Sequence, residues 1–295
     1  MHLSMHNWMR AEPLEKTLAR LKEFGYESLE ISGEPELYDT AEVRELLRRY
    51  RIRCWGSVTL MMEGRSLIAK DEAERASSVQ YVKDCITMVK ELDGHEISIV
   101  PGTVGKVDPD STPDNEWNWA VESMQEIYDH GQAAGVLLAI EPINRFETYF
   151  INRGAQALAL AEATGPECGV CLDAFHMNME DRDLLGSIRQ AGGRLVDFHV
   201  ADSNRMAAGM GALDWAAIVR TLGEVGYDGA LTVEFVASID RTPANRHPNA
   251  VETEPTDITP EQKKFIEDHG SNLLSDEFYT MLTRRSAEEL LPLIR

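Results

Sequence analysis

The sequence has little of what marks a membrane protein, a disulfide-rich secreted domain or a nucleic-acid-binding protein. It is 295 residues long and contains only 4 cysteines, too few to build a disulfide framework. No apolar run approaches the roughly 18 residues that a membrane-spanning helix needs. Lys and Arg number 29 against 50 Asp and Glu, so the formal net charge is −21 and the surface should repel phosphate backbones and anionic membranes. We therefore expect neither a nucleic-acid partner nor a membrane partner.

The beginning of the chain also lacks the basic start and apolar run of a secretory signal peptide. Among the cysteines, Cys168 and Cys171 form a Cys-x-x-Cys pair, which is half of a common zinc site. No second pair accompanies it, and residues three apart on a strand point to opposite faces. We expect a soluble, cytoplasmic protein and no metal or redox role for this pair.

Short β-rich runs alternate with amphipathic helical patterns along most of the chain. The predicted strands are His2–Met5, Ser28–Ile31, Arg53–Val58, Ile97–Val100, Val136–Ile140, Gly169–Leu172, Leu195–Phe198 and Leu231–Val233. The predicted helices are Glu12–Phe24, Thr40–Tyr50, Glu72–Leu92, Trp117–Ala134, Gly154–Thr164, Leu184–Ala191, Asp214–Val225 and Asp276–Leu293. This alternation favours an α/β fold, the (β/α)8 or TIM barrel, because closure leaves no strand edge unpaired. An open doubly wound sheet is the alternative, which the lack of a glycine-rich dinucleotide motif after an early strand disfavours.

The length fits a single barrel domain over residues 1–295, since such barrels often run to about 250 residues. Only the segment 237–275 breaks the alternation, because it is too long for an ordinary connection between a strand and its helix. This segment is acidic and contains Pro243, Pro248, Pro255 and Pro260. We interpret it either as a solvated surface excursion or as a lid or docking surface at the barrel mouth. The final helix falls within residues 276–295.

Four polar residues follow the predicted strands at equivalent places. In a closed barrel, side chains alternate between the interior and the helix layer, and the C-terminal strand ends form the active-site rim. That alternation directs Glu141, Asp173, His199 and Glu234 inward at the ends of four consecutive strands. Three buried carboxylates would repel one another unless a cation lay between them. Three oxygen ligands and one imidazole suit Mn²⁺ best, with Mg²⁺, Co²⁺ or Fe²⁺ as substitutes.

At these residues the sequence resembles the xylose-isomerase-like barrel superfamily of sugar isomerases and epimerases. Within that superfamily it is most similar to the ketose 3-epimerases acting on tagatose, psicose or ribulose. The resemblance runs through most of residues 1–236 and is carried by three blocks: Glu-Pro-Ile-Asn-Arg-Phe-Glu at 141–147, Asp-Ala-Phe-His-Met-Asn-Met-Glu at 173–180, and His-Val-Ala-Asp-Ser-Asn-Arg at 199–205 onward through Trp215. The latter two blocks are the specific ones.

The resemblance implies a role for each matching residue. It implies a metal held by the four strand-end residues, with Glu141 and Glu234 as the paired acid and base. It also implies that Glu147, His176 and Arg205 contact the substrate. The alternative is that Glu147 and Arg205 form an ordinary loop ion pair and that His176 merely caps its loop. From the residues themselves, Trp8, His6 and Glu30 follow or end early strands and are further candidates for the pocket.

This reading predicts a metal-dependent isomerase or epimerase that enolises a keto sugar. A carbon next to a carbonyl loses its proton readily only when the resulting enediolate is stabilised, and a metal can supply that stabilisation as a Lewis acid. One carboxylate removes the proton and the second returns one. The acidic composition and the shortage of lysine near the proposed site favour a neutral keto sugar or keto-glycoside over a sugar phosphate.

Several other functions stay open. Segments 4–13 and 206–211, together with the long excursion, depart from the epimerase pattern around the barrel mouth. The chain also looks like the catalytic α subunit of a bacterial C-glycoside deglycosidase, which would eliminate the aglycone from a 3-keto-glycoside with a small β subunit as partner. An apurinic-site endonuclease would need more histidines at strand ends and a less acidic surface. A sugar-binding or scaffold barrel without turnover is the non-enzyme alternative. We also expect a homo-oligomer.

Overall fold

The computed structural model describes residues 1–239 and 258–294, and within them the chain forms a TIM barrel. Its eight parallel strands follow the order β1-β8-β7-β6-β5-β4-β3-β2. They are β1 (His2–Met5), β2 (Ser28–Ser32), β3 (Arg53–Val58), β4 (Glu96–Ile99), β5 (Leu137–Ile140), β6 (Gly169–Asp173), β7 (Leu195–Val200) and β8 (Ala230–Val233). A parallel bridge between His6 and Glu30 joins the two ends of this order, so the barrel is nearly closed. The predicted fold class is confirmed.

Helices alternate with these strands, and each predicted helix is present with small shifts of its ends. The helices of the described residues are α1 (Leu14–Phe24), α2 (Thr40–Tyr50), α3 (Glu72–Glu91), α4 (Pro113–Ala134), α5 (Gly154–Thr164), α6 (Ala174–Glu180), α7 (Leu184–Ala191), α8 (Trp215–Glu224), α9 (Pro260–His269) and α10 (Asp276–Ile294). Helix α4 begins earlier than predicted because Thr112 caps it and proline occupies its first turn. None of the described helices is long and apolar enough to cross a bilayer.

Two of these helices, α6 and α9, lie where the sequence analysis predicts none. Asp173 caps α6 by accepting a hydrogen bond from the His176 amide. Helix α9 lies inside the excursion and begins with a capping box, in which Thr259 and Gln262 each bond the backbone of the other. Gly270, in the left-handed conformation at φ +61°, ends it. The proline-rich part of the excursion, residues 240–257, lies outside the described residues.

The strand side chains divide into an apolar outer layer and a polar interior. The alternation along the strands directs eight residues toward the helices: Leu138, Ile140, Val170, Leu172, Val196, Phe198, Leu231 and Val233. All of them except Val196, which is half-buried, are at most 1% exposed. Leu138 lies against Gly131 of α4, and Leu172 lies against Gly154 of α5. The main apolar core is therefore packed between the strands and the helices. The interior carries acidic and hydroxyl side chains instead, which positions polar groups along the barrel axis.

Replacing Leu231 with alanine is expected to destabilise the protein by about 2–5 kcal/mol, because the side chain is fully buried in the outer core and its removal leaves a cavity. Leu37→Ala is the matched control, since Leu37 is 71% exposed and should change the free energy of unfolding little. Urea denaturation of both variants measures the difference. Equal stabilities would contradict this description of the core.

Candidate active site

The four predicted strand-end residues come together at the C-terminal rim of the barrel. Glu141 follows β5, Asp173 ends β6, His199 lies in β7 and Glu234 follows β8. The β6–β7 register places Asp173 directly opposite His199. One potential ligand atom from each of the four residues lies within 4.8 Å of the others, and all four residues are buried. We call this set the rim cluster.

The two ring nitrogens of His199 face different pairs of carboxyl groups. Its Nδ1 lies 3.0 Å from Glu141 Oε1 and 3.1 Å from Glu234 Oε2. Its Nε2 lies 3.2 Å from Glu30 Oε2 and 3.1 Å from Asp197 Oδ2. Nδ1 is therefore the nitrogen that the ring offers to the rim cluster.

The carboxyl groups of the rim cluster influence one another strongly. Burial, followed by the nearby Glu234, raises the pKa of Asp173 well above its ordinary value. Burial also raises the pKa of Glu141, although His199 opposes this effect. For Glu234, His6 and His199 outweigh the effect of burial and lower the pKa to about 2. Two of the three buried acids, Asp173 and Glu141, therefore resist ionisation, and a divalent cation beside them would remove that electrostatic penalty. The donor set of three carboxylates and one imidazole fits such an ion.

A cavity lies over the rim cluster. The cavity is lined by Glu141 and Glu234 of the rim cluster and by the predicted substrate-contacting residues Trp8, Glu147, His176 and Arg205. The cavity is also lined by apolar side chains, which we call the apolar wall: Val58, Leu60, Met61, Met62, Val100, Val104 and Ile143. The excursion contributes His269 and Gly270, so the part of that segment that the structure describes reaches the barrel mouth.

Glu147 and Arg205 form an ion pair within this cavity wall. Arg205 Nη1 lies 2.6 Å from Glu147 Oε1, which also accepts a hydrogen bond from Asn144 Nδ2 at 2.7 Å. Arg205 adopts the left-handed conformation at φ +59°, which is uncommon for a residue with a side chain. The loop ion pair is therefore present, and both of its members line the cavity. Their contact with a substrate stays a prediction.

Asp202 holds the loop that carries Arg205. Its carboxylate accepts hydrogen bonds from the Trp215 indole at 2.9 Å, the Gly209 amide at 2.9 Å and the Leu213 amide at 3.1 Å. Asp202 is fully buried, so these bonds replace its contacts with water. The sequence analysis does not select Asp202, because a single aspartate in a loop carries no positional signal.

His176 presents one defined tautomer to the cavity. Its Nδ1 lies 3.2 Å from the Asn144 amide nitrogen and 2.9 Å from Asn144 Nδ2. Both groups are donors, so Nδ1 accepts and the ring proton sits on Nε2. Burial, with the charge of Arg205, lowers the pKa of His176 well below its ordinary value and keeps the ring neutral. His176 can therefore donate a hydrogen bond to an oxygen in the cavity.

His6 and Glu30 occupy a different place from Trp8. Trp8 lines the cavity, whereas His6 and Glu30 are fully buried and are not among its lining residues. His6 Nε2 lies 3.0 Å from Glu30 Oε2 and 3.8 Å from Glu234 Oε2. These two residues therefore support the rim cluster from the barrel interior rather than face the cavity. The four cysteines are buried and unpaired.

Helix α9 reaches the rim through its last residue. His269 Nε2 lies 3.0 Å from Glu34 Oε2, and its Nδ1 lies 2.7 Å from the Phe265 carbonyl oxygen. A carbonyl and a carboxylate only accept hydrogen bonds, so the ring makes both bonds as an imidazolium. Burial opposes this charge, but Glu34 outweighs it and raises the pKa of His269. Burial likewise opposes ionisation of Glu34, and His269 outweighs it and lowers the pKa of Glu34.

The His269–Glu34 contact should hold α9 most firmly between about pH 4.3 and 6.5, the ordinary pKa values of the two groups. The raised pKa of His269 adds stability at low pH that is lost as pH rises through the folded value. The lowered pKa of Glu34 adds stability at higher pH that is lost as pH falls through the folded value. In Glu34→Gln, amide exchange in α9 should exceed the wild-type rate at about pH 6, and the difference should shrink as the pH rises through the raised pKa of His269. Helix α10 serves as the internal control, and identical α9 exchange at the lower pH would contradict the contact.

A barrel with a buried, metal-competent cluster at its C-terminal rim defines the general class of this protein, a barrel enzyme with a candidate divalent-cation site. The chain belongs to the xylose isomerase-like TIM barrel family, whose sequence profile matches residues 18–268. The family predicted from the sequence is confirmed.

Curated relatives and solved structures agree with this assignment. The L-ribulose 3-epimerase of Mesorhizobium japonicum is 30% identical over 227 residues, which cover 76% of each chain. The 3-dehydro-D-guloside 4-epimerase of Escherichia coli is 24% identical over 224 residues, covering 72% of this chain and 84% of that protein. The structure of D-allulose 3-epimerase from Methylomonas sp. in complex with D-allulose aligns with a TM-score of 0.82 and 22% identity, covering 100% of this chain and 97% of that one. The chain is therefore an enzyme of the isomerase and epimerase type, which argues against a scaffold without turnover.

Proposed function

We propose that the protein is a divalent-metal-dependent ketose epimerase, which removes and returns a proton at a carbon next to a carbonyl. The observation that carries this proposal is the rim cluster, because it places Glu141 and Glu234 on one cavity together with a donor set suited to a cation. Epimerisation requires two groups that exchange protons with opposite faces of one carbon. The names of the relatives, which are 3-epimerases and a 4-epimerase, support the same chemistry.

Glu141, Asp173, His199 and Glu234 are the residues that would hold the ion, and Mn²⁺ is the ion we propose. When bound, it supplies Lewis-acid polarisation of a substrate carbonyl. In this proposal one of the two glutamates accepts the proton from the substrate carbon and the other donates one from the opposite face. His176 donates its Nε2 proton to a substrate oxygen, and Arg205 orients a hydroxyl group from the loop held by Asp202. Trp8 and the apolar wall pack against the carbon side of the sugar.

We infer that the substrate is a neutral sugar rather than a sugar phosphate. Among the described residues that line the cavity, Arg205, His269 and His176 have basic side chains, and burial keeps His176 neutral, which leaves Arg205 and His269 as the positive charges. Each of them already pairs with a glutamate, Arg205 with Glu147 and His269 with Glu34. A phosphate would therefore have to break an ion pair to gain compensation for its charge.

The test incubates Mn²⁺-loaded protein in deuterated water with D-psicose, D-tagatose, L-ribulose, their phosphates and 3-keto-glycosides. We expect deuterium at carbon 3 of a free ketose, together with its 3-epimer, and little exchange into the phosphates. Failure to exchange a proton in every ketose and keto-glycoside would overturn the proposal, and a strong preference for a phosphate would overturn the substrate class.

A second candidate is elimination from a 3-keto-glycoside, as in a C-glycoside deglycosidase. The apolar wall of the cavity favours it, because such a wall could pack against an aglycone. The similarity to an enzyme named for a 3-dehydro-guloside supports a glycoside as substrate. Product analysis with 3-keto-glycosides separates the two candidates, since release of the aglycone requires elimination. Native mass measurement then distinguishes a homo-oligomer from a complex with a small second subunit.

A further inference from the structure

We propose that Asp197 and Glu30 are positioning residues, which hold the His199 ring so that Nδ1 faces the rim cluster and the Nε2 proton faces the barrel interior. The inference rests on the proposed metal site, because it assigns these two residues the task of preparing one of its ligands. Neither residue lines the cavity, so neither is placed to touch the substrate.

Asp197 is itself anchored on its far side. Its Oδ1 accepts a hydrogen bond from the Trp55 indole at 3.0 Å, which leaves Oδ2 at 3.1 Å from His199 Nε2. Asp197 Oδ2 makes no hydrogen bond with a described group, so its approach to His199 Nε2 is a charge contact, whereas Glu30 Oε2 is the hydrogen-bond acceptor of that nitrogen. Nothing in the described part of the chain therefore competes with His199 for this oxygen.

Glu30 approaches the same nitrogen from β2. Its Oε2 lies 3.2 Å from His199 Nε2 and 3.0 Å from His6 Nε2. All of these side chains are fully buried, so water does not replace the contacts. Two carboxylates from opposite parts of the barrel thus converge on one ring nitrogen.

The consequence for His199 follows from hydrogen-bond chemistry. Both ring nitrogens face carboxylates, which only accept, but a nitrogen that ligates a metal gives up its proton. With Nδ1 as the ligand, the remaining imidazole proton would lie on Nε2, where Glu30 accepts it. Nδ1 is the nitrogen within 3.1 Å of both Glu141 and Glu234. A carboxylate behind a ligating imidazole fixes the ring orientation and increases its electron donation, and loss of such a partner typically weakens metal affinity about 10- to 100-fold.

Glu96 provides a matched control. It lies in the same fully buried interior as Asp197 and Glu30, but its Oε2 accepts from Ser98 Oγ at 3.2 Å and neither of its oxygens bonds a His199 nitrogen among the described contacts. Glu96 also lies beside Glu30, and burial, with the charges of Glu30 and Asp197, raises the pKa of Glu96 well above its ordinary value. Glutamine imitates the neutral form of this side chain, so Glu96→Gln makes the same substitution as Glu30→Gln without removing a contact to His199.

The experiment measures the Kd for Mn²⁺ by calorimetry and the visible absorption of the Co²⁺-loaded protein for wild type, Asp197→Asn, Glu30→Gln and Glu96→Gln. We expect Kd to rise about 10- to 100-fold in Asp197→Asn and Glu30→Gln and the Co²⁺ bands to shift. Glu96→Gln should stay close to wild type in both measurements. Thermal unfolding in a chelator shows that each variant is folded.

Equal Kd values and equal Co²⁺ spectra in all four proteins would overturn the positioning role while leaving the metal site intact. A wild-type protein that binds neither ion would instead overturn the proposed function. If Asp197→Asn does not fold, Trp55→Phe takes its place, because it removes the shortest of the three hydrogen bonds that Asp197 Oδ1 accepts, the other donors being Tyr227 and Thr232. It should weaken Mn²⁺ binding in the same direction, and an unchanged Kd would count against the role of Asp197.

Discussion

Replacing Glu141 or Glu234 with glutamine is expected to reduce kcat about 100- to 10,000-fold, the usual contribution of a positioned acid or base. Glutamine keeps the size of the side chain but cannot accept or return a proton at neutral pH. Both residues line the cavity and belong to the rim cluster, so loss of either removes one of the two groups that the proposed proton transfer needs. The measurement is the rate of deuterium incorporation at saturating substrate and saturating Mn²⁺, which separates lost proton transfer from lost metal.

Glu147→Gln is the control for this prediction. Glu147 lines the same cavity but lies outside the rim cluster and pairs with Arg205. Its replacement should raise KM more than it lowers kcat, because it affects the position of Arg205 rather than proton transfer. Wild-type kcat in either Glu141→Gln or Glu234→Gln would exclude that residue from the proton transfer.

Removing divalent metal with a chelator is expected to abolish turnover and to lower the melting temperature, and Mn²⁺ should restore both. An ion present at about 100 times its Kd stabilises the native state by about 2.7 kcal/mol. The stabilisation by Mn²⁺ should depend clearly on pH, because burial raises the pKa values of Asp173 and Glu141. Protons therefore compete with the ion at acidic pH, and the Mn²⁺-induced shift in melting temperature should be larger at about pH 7.5 than at about pH 5.

Asp173→Asn tests the specificity of that response. It removes one ligand while leaving an oxygen able to cap α6 at the His176 amide. The variant should lose most of the Mn²⁺-induced shift while keeping the fold. An unchanged shift, or a wild-type enzyme that is fully active after exhaustive chelation, would show that the rim cluster does not hold a required cation.

The barrel and its rim could be predicted because both depend on local patterns. A strand has a side-chain period of two, so the buried leucines and valines of β5 to β8 reveal which face meets the helices. The same period places Glu141, Asp173, His199 and Glu234 on the other face at the strand ends. Parallel strands then bring these ends to one rim whatever the details of packing.

Other features of the site depend on residues that are far apart in the chain. His269 and Glu34 are separated by 235 positions, and no local pattern predicts that α9 contacts the loop that follows β2. The capping box that begins α9 is visible in Thr-Pro-Glu-Gln, but it specifies a helix and not its destination. Asp197 can be placed inside the barrel by its alternation with His199, yet its pairing with Trp55 depends on how eight strands close.

The sequence by itself therefore determined the fold class, the family and the set of four residues at the rim, since periodicity and strand polarity are properties of short segments. Only the tertiary structure decided which nitrogen of His199 faces that set, which acids lie behind it and which part of the excursion borders the cavity. The physical reason is that these contacts join side chains whose relative positions are fixed by barrel closure and by dense packing around the axis. Such contacts are non-local, and their geometry exists only once the whole barrel has formed.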